Sequence, residues 1–338
     1  MSSSAKSKTA PAAATIDDSF AWKLLPTRDA HAHKWGVGGL LIIGGSPGYL
    51  GAPALAAMSA GRSGAGIVSI ASPRSAMGAI ASIVPEASFM ALPDSDLGLG
   101  GDRVASRIRE RLEKFKALVV GPGLGEDEYA DAVMQSLTGL VEAQHAAPVG
   151  FSVGRPAASS ASATERHQIL GGGIPAVLDA DGLNWLAKQG EGWAERFAPQ
   201  SLVLTPHIGE MSRLTGLDAD EIIENAPATA HKYAGIWKQT VVLKGGPTVA
   251  SDGTRLLVAP GAPVSLATAG TGDIFAGSIG AFLAQGLPPI DAAALGMWAG
   301  VRAAEHLADR FGTLGLIATD LPVAIAEVLG RLESAKGE

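Results

Sequence analysis

Short apolar runs alternate with helical patterns through most of the chain. Residues 40–43, 67–70, 117–120, 176–178, 202–204 and 241–243 are rich in Val, Ile and Leu and end in Gly, Ser, Asp, Thr or Lys. Runs too short for helices and apolar throughout predict strands buried on both faces. Between them, residues 53–62, 103–115, 129–143, 183–188 and 220–237 carry helical spacing. Residues 249–250 and 256–258, joined through Asp252-Gly253, predict a hairpin and with it an antiparallel element. The βα alternation predicts an α/β fold, a mostly parallel central sheet with helices on both faces. In such sheets ligands bind beyond the carboxyl ends of the strands, and every distinctive motif described below falls at such an end.

Two segments break the rhythm. Residues 149–173 hold Gly154-Arg155-Pro156, an Ala/Ser tract through Ala163, a helical stretch at 164–170 and three glycines. They predict an inserted surface loop with a short helix, longer than compact α/β connections usually are. The opening residues 1–15 are mainly Ser, Ala, Lys, Thr and Pro with no apolar core, which argues against a secretory signal. A disordered tail is expected over residues 1–20, and the lack of arginine there weighs against an organellar transit peptide. No internal repeat is visible.

Composition narrows the classes. The 338 residues allow one large α/β domain or two smaller ones. A hydrophobic content of 47%, only 17% charged residues and 44 glycines suit a buried sheet under Ala- and Gly-rich helices. The net charge of −7 and the lack of a basic stripe argue against a nucleic-acid partner. The absence of cysteine removes disulfides, thiolate metal sites and a cysteine nucleophile, and fits a reducing, cytoplasmic setting. No apolar stretch reaches the ~20 residues of a spanning helix, so no membrane partner is expected.

The most informative stretch is Ala267 to Phe275, A-T-A-G-T-G-D-I-F. Phe275, Ile279 and Phe282 recur at helical spacing, and Gly286 with Pro288 and Pro289 ends the run. Gly270, Thr271 and Gly272 therefore form a turn at a helix N-terminus, where unpartnered N–H groups and the helix dipole favour an anion such as phosphate. Asp273, beside that anion hole, is placed to take a proton from an attacking hydroxyl. Alternatively it caps the helix, a contribution of about 0.3–1 kcal/mol. With a reference pKa of about 3.9 it is expected to be ionised at neutral pH.

Other strand ends carry related chemistry. Gly44-Gly45-Ser46-Pro47-Gly48-Tyr49-Leu50-Gly51-Ala52 opens a helix with room for a ligand, and Gly121-Pro122-Gly123-Leu124-Gly125 precedes another. Asp179 and Asp181, in L-D-A-D-G-L-N, are able to hold Mg2+ or to cap a helix. In T-P-H-I-G-E, His207 and Glu210 sit in a strand-to-helix turn, where Glu210 could complement the dipole or a metal. Lys244-Gly245-Gly246-Pro247-Thr248 offers a cation, free backbone and a hydroxyl suited to a nucleotide phosphate.

Taken in order, G-S-P-G-Y-L-G-A, G-P-G-L-G, L-D-A-D-G-L-N, T-P-H-I-G-E, K-G-G-P-T and A-G-T-G-D resemble the NAD(P)H-hydrate dehydratase family of the ribokinase-like superfamily. The resemblance runs from about His33 to Leu329, interrupted by the 149–173 segment. It implies a single three-layer α/β/α sandwich over residues 21–335. It also implies a substrate, NADHX or NADPHX, in which water has added to the reduced nicotinamide ring. Lys244, Gly245, Gly246, Pro247, Thr248 and Gly272 would line ADP (or ATP), and Ala52, Gly125, His207 and Asp273 would contact the hydrated dinucleotide. Magnesium is implied, with Asp181 and Glu210 as weak candidate ligands. The chemistry implied is phosphorylation of the ring hydroxyl with Asp273 as base, then loss of phosphate, with AMP as the second product from ADP. Gly182 stands where the family commonly has alanine, and Ala262 where asparagine often precedes the Pro. A homo-oligomer is expected, and an NAD(P)HX epimerase as a separate chain, since the segment before His33 is too short to hold one. Two other readings fit the same residues: a vitamin-precursor kinase of the same superfamily, and a non-catalytic nucleotide-binding protein.

Overall fold

In a computed structural model of the chain, which describes residues 12–94, 101–139 and 168–335 (the backbone alone at 101–103), the apolar runs become strands. These are β1 (Ala14–Thr15), β2 (Gly39–Ile43), β3 (Ile67–Pro73), β4 (Ser88–Leu92), β5 (Ala117–Val120), β6 (Ala176–Leu178), β7 (Leu202–Leu204), β8 (Thr240–Leu243), β9 (Val249–Ser251) and β10 (Leu256–Val258). They join in one sheet in the order β1-β10-β9-β8-β7-β6-β5-β2-β3-β4. All neighbours run parallel except β9, antiparallel to both β8 and β10. The expected hairpin supplies that reversal.

The strands are apolar throughout because both faces are covered. Side chains alternate across a strand, so Leu40 and Ile42 join one core with Ala54, Ile279 and Phe282. Leu41 and Ile43 join the other with Met134, Leu137 and Leu186. The first core lies under the helices Gly51–Arg62, Thr271–Ala284, Pro289–Phe311 and Leu321–Ser334, and the second under Gly101–Leu112, Glu128–Thr138 and Ala226–Trp237. The fold is a three-layer α/β/α sandwich of ribokinase type. Gly277 lets two of these helices touch backbone to backbone, because a Cβ there would collide with the Ala56 carbonyl. That contact seats the Thr271–Ala284 helix, and the turn before it, beside the turn that follows β2.

Several expectations change. Residues 14–20 do not behave as a tail: β1 pairs with β10, and Asp18 of the Asp18–Leu24 helix accepts hydrogen bonds from Trp298 and Arg302. The helix expected at 220–237 is two, Ala219–Glu224 and Ala226–Trp237, broken where Asn225 leaves helical geometry and Pro227 starts the second. The end of the expected surface insertion is core, since Ile169 and Leu170 are buried and both donate to the Leu137 carbonyl. Residues 149–167 of that insertion, 140–143 of the expected 129–143 helix and residues 1–11 of the tail lie outside the described residues. Among the described residues no helix is long and apolar enough to cross a membrane.

The chain leaves β2 for β3 and β4 on one side and returns to β5 on the other. The β2–β5 border is thus the switch point beyond which a ligand crevice is expected.

Candidate active site

The N-terminus of the Thr271–Ala284 helix faces the ends of β6, β7 and β8. Gly270, at φ 87°, makes the turn, and no side chain caps the helix. The Thr271 N–H turns back to the Thr268 carbonyl, and its hydroxyl is shared between the Leu266 and Thr268 carbonyls at 2.8 Å. Of the expected Gly270–Gly272 anion hole, the Thr271 N–H is thus already engaged, while no acceptor among the described residues takes the Gly272 or Asp273 N–H. The positive end of the dipole lies with them.

Asp273 follows directly. Burial, and then the negative charge of Asp179 and Asp181, push its carboxyl up to about 7, with Lys244 opposing. The ionised group expected from the reference value is therefore only partly ionised at neutral pH without ligands. A carboxyl near 7 is matched to proton transfer at physiological pH.

Lys244, directly after β8, lies 2.7 Å from Asp179 Oδ1, and Thr205 donates to the same oxygen at 2.7 Å. Asp179 is 1% exposed and Thr205 fully buried. Burial works against the ammonium charge, but Asp179 and Glu210 more than offset it and hold Lys244 above its ordinary value. A Cβ on Gly272 would sit 3.5 Å from Lys244 Nζ and 3.9 Å from Asp179 Oδ2. The ion pair thus abuts the helix turn.

His207 and Glu210 form a capping box at the start of the Ile208–Thr215 helix. His207 Nδ1 accepts from the Gly209 and Glu210 N–H groups, and Glu210 Oε2 accepts from the His207 N–H at 2.8 Å. Glu210 is 5% exposed. Burial raises its carboxyl to about 7, with Lys244 pulling the other way. Glu210 thus serves as a helix cap, with Oε1 3.5 Å from His207 Nε2 and Oε2 3.9 Å from Lys244 Nζ. Burial, then Lys244 and Arg213, lower the His207 pKa.

A cavity of about 690 Å³ opens beside these groups. Its polar wall is His207, Lys244, Gly245, Gly246, Thr248 and Gly272, while Pro247 stays outside. Its apolar wall, which sequence patterns did not reveal, comes from Phe275, Met297, Val301, Leu321 and Ile325. Gly296 and Gly300, one helical turn apart, also line it. That pair of glycines is the signal in the sequence that could have located the wall. Ala262 faces Gly246, 3.7 Å from where a Cβ there would lie.

Ala52, Gly125 and Asp273 do not line this cavity. Ala52, in the first turn of the Gly51–Arg62 helix, and Gly125 flank the turns after β2 and β5, which pack on each other: a Cβ on Gly44 would collide with the Pro122 carbonyl, and one on Gly123 would lie 3.1 Å from Ala52 Cβ. Their glycines serve turn-to-turn contact, with open space left at Gly48 and Gly51. The Gly125 N–H donates to Asp181 Oδ2 at 2.8 Å, and the negative charge of Asp181 helps raise the Asp273 pKa. A Cβ on Gly182 would meet the Val120 carbonyl at 3.1 Å, so glycine relieves a tight contact there.

Among the described residues no three His, Cys, Asp or Glu side chains converge as a metal-binding group. A magnesium ion fits this donor set as one held mainly by phosphate oxygens and water, its usual manner in nucleotide sites. Asp181, with one oxygen on Gly125, is the candidate carboxylate.

Residues 40–149 and 157–327 match the family described as NAD(P)H-hydrate dehydratase. A bifunctional NAD(P)H-hydrate repair enzyme of Moorella thermoacetica is 36% identical over 311 residues, 91% of this chain and 52% of that protein. The chain thus spans about half the length of the bifunctional relatives it matches. An ADP-dependent (S)-NAD(P)H-hydrate dehydratase of Neisseria meningitidis is 33% identical over 307 residues, covering 90% of this chain and 89% of that one. Among solved structures, the ADP/ATP-dependent NAD(P)H-hydrate dehydratase of Bacillus subtilis, co-crystallized with ATP/Mg2+, superposes with a TM-score of 0.73 at 26% identity, covering 96% of this chain and 100% of that one. A match that runs through all the strand-end motifs, rather than the superfamily's G-T-G-D alone, shows that the chain belongs to the NAD(P)H-hydrate dehydratase family.

Proposed function

We propose that the chain is an ADP- or ATP-dependent dehydratase that restores NADH and NADPH from their hydrates. The observation that carries this is the position of Asp273. It stands at an uncapped helix N-terminus, with a cavity of about 690 Å³ and Lys244 on one side and the β2–β5 switch point on the other. The nucleotide fits the cavity: the base against the wall of Phe275, Met297 and Val301, the phosphates against Lys244, Gly245, Thr248 and Gly272. The hydrated nicotinamide fits the side of Ala52, Gly125 and His207.

Asp273 accepts the proton of the ring hydroxyl as that oxygen bonds to the terminal phosphorus and the bridging P–O bond breaks. ADP then leaves as AMP, or ATP as ADP. The Gly272 and Asp273 N–H groups and the Lys244 ammonium meet the charge that builds on the phosphoryl oxygens. Magnesium, carried with the phosphates and reached by Asp181, would neutralise further phosphate charge. The ring nitrogen's lone pair expels phosphate, a far better leaving group than hydroxide, and loss of a neighbouring ring proton restores the dihydronicotinamide. His207, uncharged with Nδ1 occupied, has Nε2–H to donate to the dinucleotide.

The Neisseria relative is named for the S hydrate, so an epimerase supplying that epimer is a functional partner in this proposal. A cytoplasmic location, consistent with a cysteine-free chain, belongs to it too. So does a homo-oligomer, for which the exposed Leu314 and Ile317 offer apolar surface and which light scattering tests. The deciding assay mixes purified protein with NADPHX and either ADP or ATP, following NADPH absorbance and released phosphate. NADPH and phosphate in equal amounts are expected. A stable phosphorylated product without NADPH would identify a small-molecule kinase, and nucleotide binding without any product a non-catalytic protein.

A further inference from the structure

Asp179 has no role in the scheme above, yet it is the most buried carboxylate at the site. We propose that Asp179 is a positioning residue that aims the Lys244 ammonium at the phosphoryl group being transferred, with Thr205 in turn holding Asp179. This rests on the proposed phosphoryl chemistry.

The restraint on Asp179 is built from three sides. Oδ1 accepts from both Thr205 Oγ1 and Lys244 Nζ, each at 2.7 Å. The Asp179 N–H donates to the Val120 carbonyl, and the Asp179 carbonyl accepts from Gly182. Gly121 is a glycine where any Cβ would collide with that same carbonyl. The next residue, Ala180, is held at φ 48°, ψ −119°, a conformation that costs a non-glycine residue roughly 1–3 kcal/mol and persists only where its surroundings over-determine it. The chain thus accepts strain to deliver Asp179 inward.

The consequence falls on Lys244. A lysine ammonium on four methylenes is a mobile point charge. Here it is 21% exposed, tethered to a fixed carboxylate and 3.5 Å from the position a Gly272 Cβ would take. The same carboxylate is a like charge to an incoming phosphate. It therefore opposes ground-state nucleotide binding while fixing the cation where charge develops. An interaction of that kind acts on turnover rather than affinity.

The test compares Asp179→Asn, Thr205→Val, Thr205→Ser, Lys244→Met and Asp179→Asn/Lys244→Met, using NADHX turnover and calorimetric ADP binding. In Asp179→Asn, kcat should fall about 10–100-fold while ADP binds as tightly as wild type or tighter. Thr205→Val should lose about 3–10-fold in kcat, and Thr205→Ser, which keeps the hydroxyl, should stay within about twofold. In the Lys244→Met background, Asp179→Asn should cost less than about twofold, since there is no ammonium left to aim. Weaker ADP binding in Asp179→Asn, or a full loss that multiplies with Lys244→Met, overturns the role. So does unchanged kcat. If the wild-type protein proves inert toward NADHX, the dehydratase function falls instead, and the ADP arm still decides for or against Asp179.

Discussion

The His207 ring and the Glu210 carboxylate cap each other's backbone: Nδ1 accepts the Glu210 N–H at 3.2 Å and Oε2 accepts the His207 N–H at 2.8 Å. The pairing fixes the imidazole tautomer. With Nδ1 accepting, the proton sits on Nε2, and a charged ring would have to give up both backbone bonds. The lowered pKa of His207 agrees with this geometry. One residue therefore caps a helix and presents a neutral donor at the mouth of the cavity.

His207→Ala should remove both roles, lowering stability by about 0.5–2 kcal/mol, the usual cost of a lost N-cap, and weakening the binding of hydrated dinucleotide. His207→Asn separates them, because asparagine is among the best N-caps but does not reach as far. Urea denaturation should show Asn restoring most of the stability, while calorimetry shows dinucleotide affinity still reduced. Unchanged affinity in both variants would remove His207 from the dinucleotide site.

Asp273→Asn keeps the shape of the turn and takes away the base. Turnover should drop by at least about 100-fold, the lower range for a lost general base, with ADP affinity changed little. Since the carboxyl stands near 7 in the free protein and must be ionised to accept a proton, wild-type kcat/KM should fall as pH drops below about 7. A rate profile flat from pH 8 to pH 5.5 would rule out Asp273 as the base.

The same displacement affects stability with a defined sign. Asp273 moves from 3.8 up to about 7 on folding, and Glu210 from 4.5 up to about 7. Between pH 4 and pH 7 the folded chain therefore binds more protons than the unfolded one. The stabilisation from these groups is full below pH 4 and lost as pH rises through 7. Ligand-free protein should melt higher at pH 5 than at pH 8. Asp273→Asn should narrow that gap by on the order of 1–2 kcal/mol, a figure reduced for partial solvent screening. Scanning calorimetry at the two pH values checks it, and a gap untouched by the substitution would contradict the buried-carboxyl account.

How far the sequence alone reached depended on burial. Central strands such as β5, β6 and β7 are covered on both faces, so their unbroken Val, Ile and Leu runs marked them residue for residue. The edge strands were missed. β4 starts on an exposed Ser88 and then alternates half-buried and buried positions, and β1 is two residues of Ala and Thr within a polar opening. At the site, Lys244, Thr248, His207 and Gly272 were legible because strand-end position carries functional meaning in a parallel sheet. Thr205 was not, since a fully buried threonine looks like strand filler until its acceptor is known. The raised pKa of Asp273 comes from burial first and then from Asp179 and Asp181, nearly a hundred residues away in sequence, and no local pattern encodes either.

Two glycines two residues apart should respond to alanine in opposite ways. Gly270 has a φ of 87° and a Cβ there would press to 2.7 Å from Leu55 Cδ1, so Gly270→Ala should destabilise the fold by roughly 1–2 kcal/mol. Gly272 is helical, and its Cβ would lie 3.5 Å from Lys244 Nζ and 3.9 Å from Asp179 Oδ2, on the side where the proposed phosphate would come. Gly272→Ala should leave the melting temperature equal or slightly higher, as alanine improves a helix by up to about 1 kcal/mol, yet weaken ADP binding at least about tenfold. Saturating ADP, at 100 times its Kd, stabilises a binding-competent protein by about 2.7 kcal/mol, so thermal shift with and without ADP reads both variants at once. If Gly272→Ala keeps the wild-type ADP shift, the phosphate does not approach over this turn, and Asp273 is not beside the reacting group.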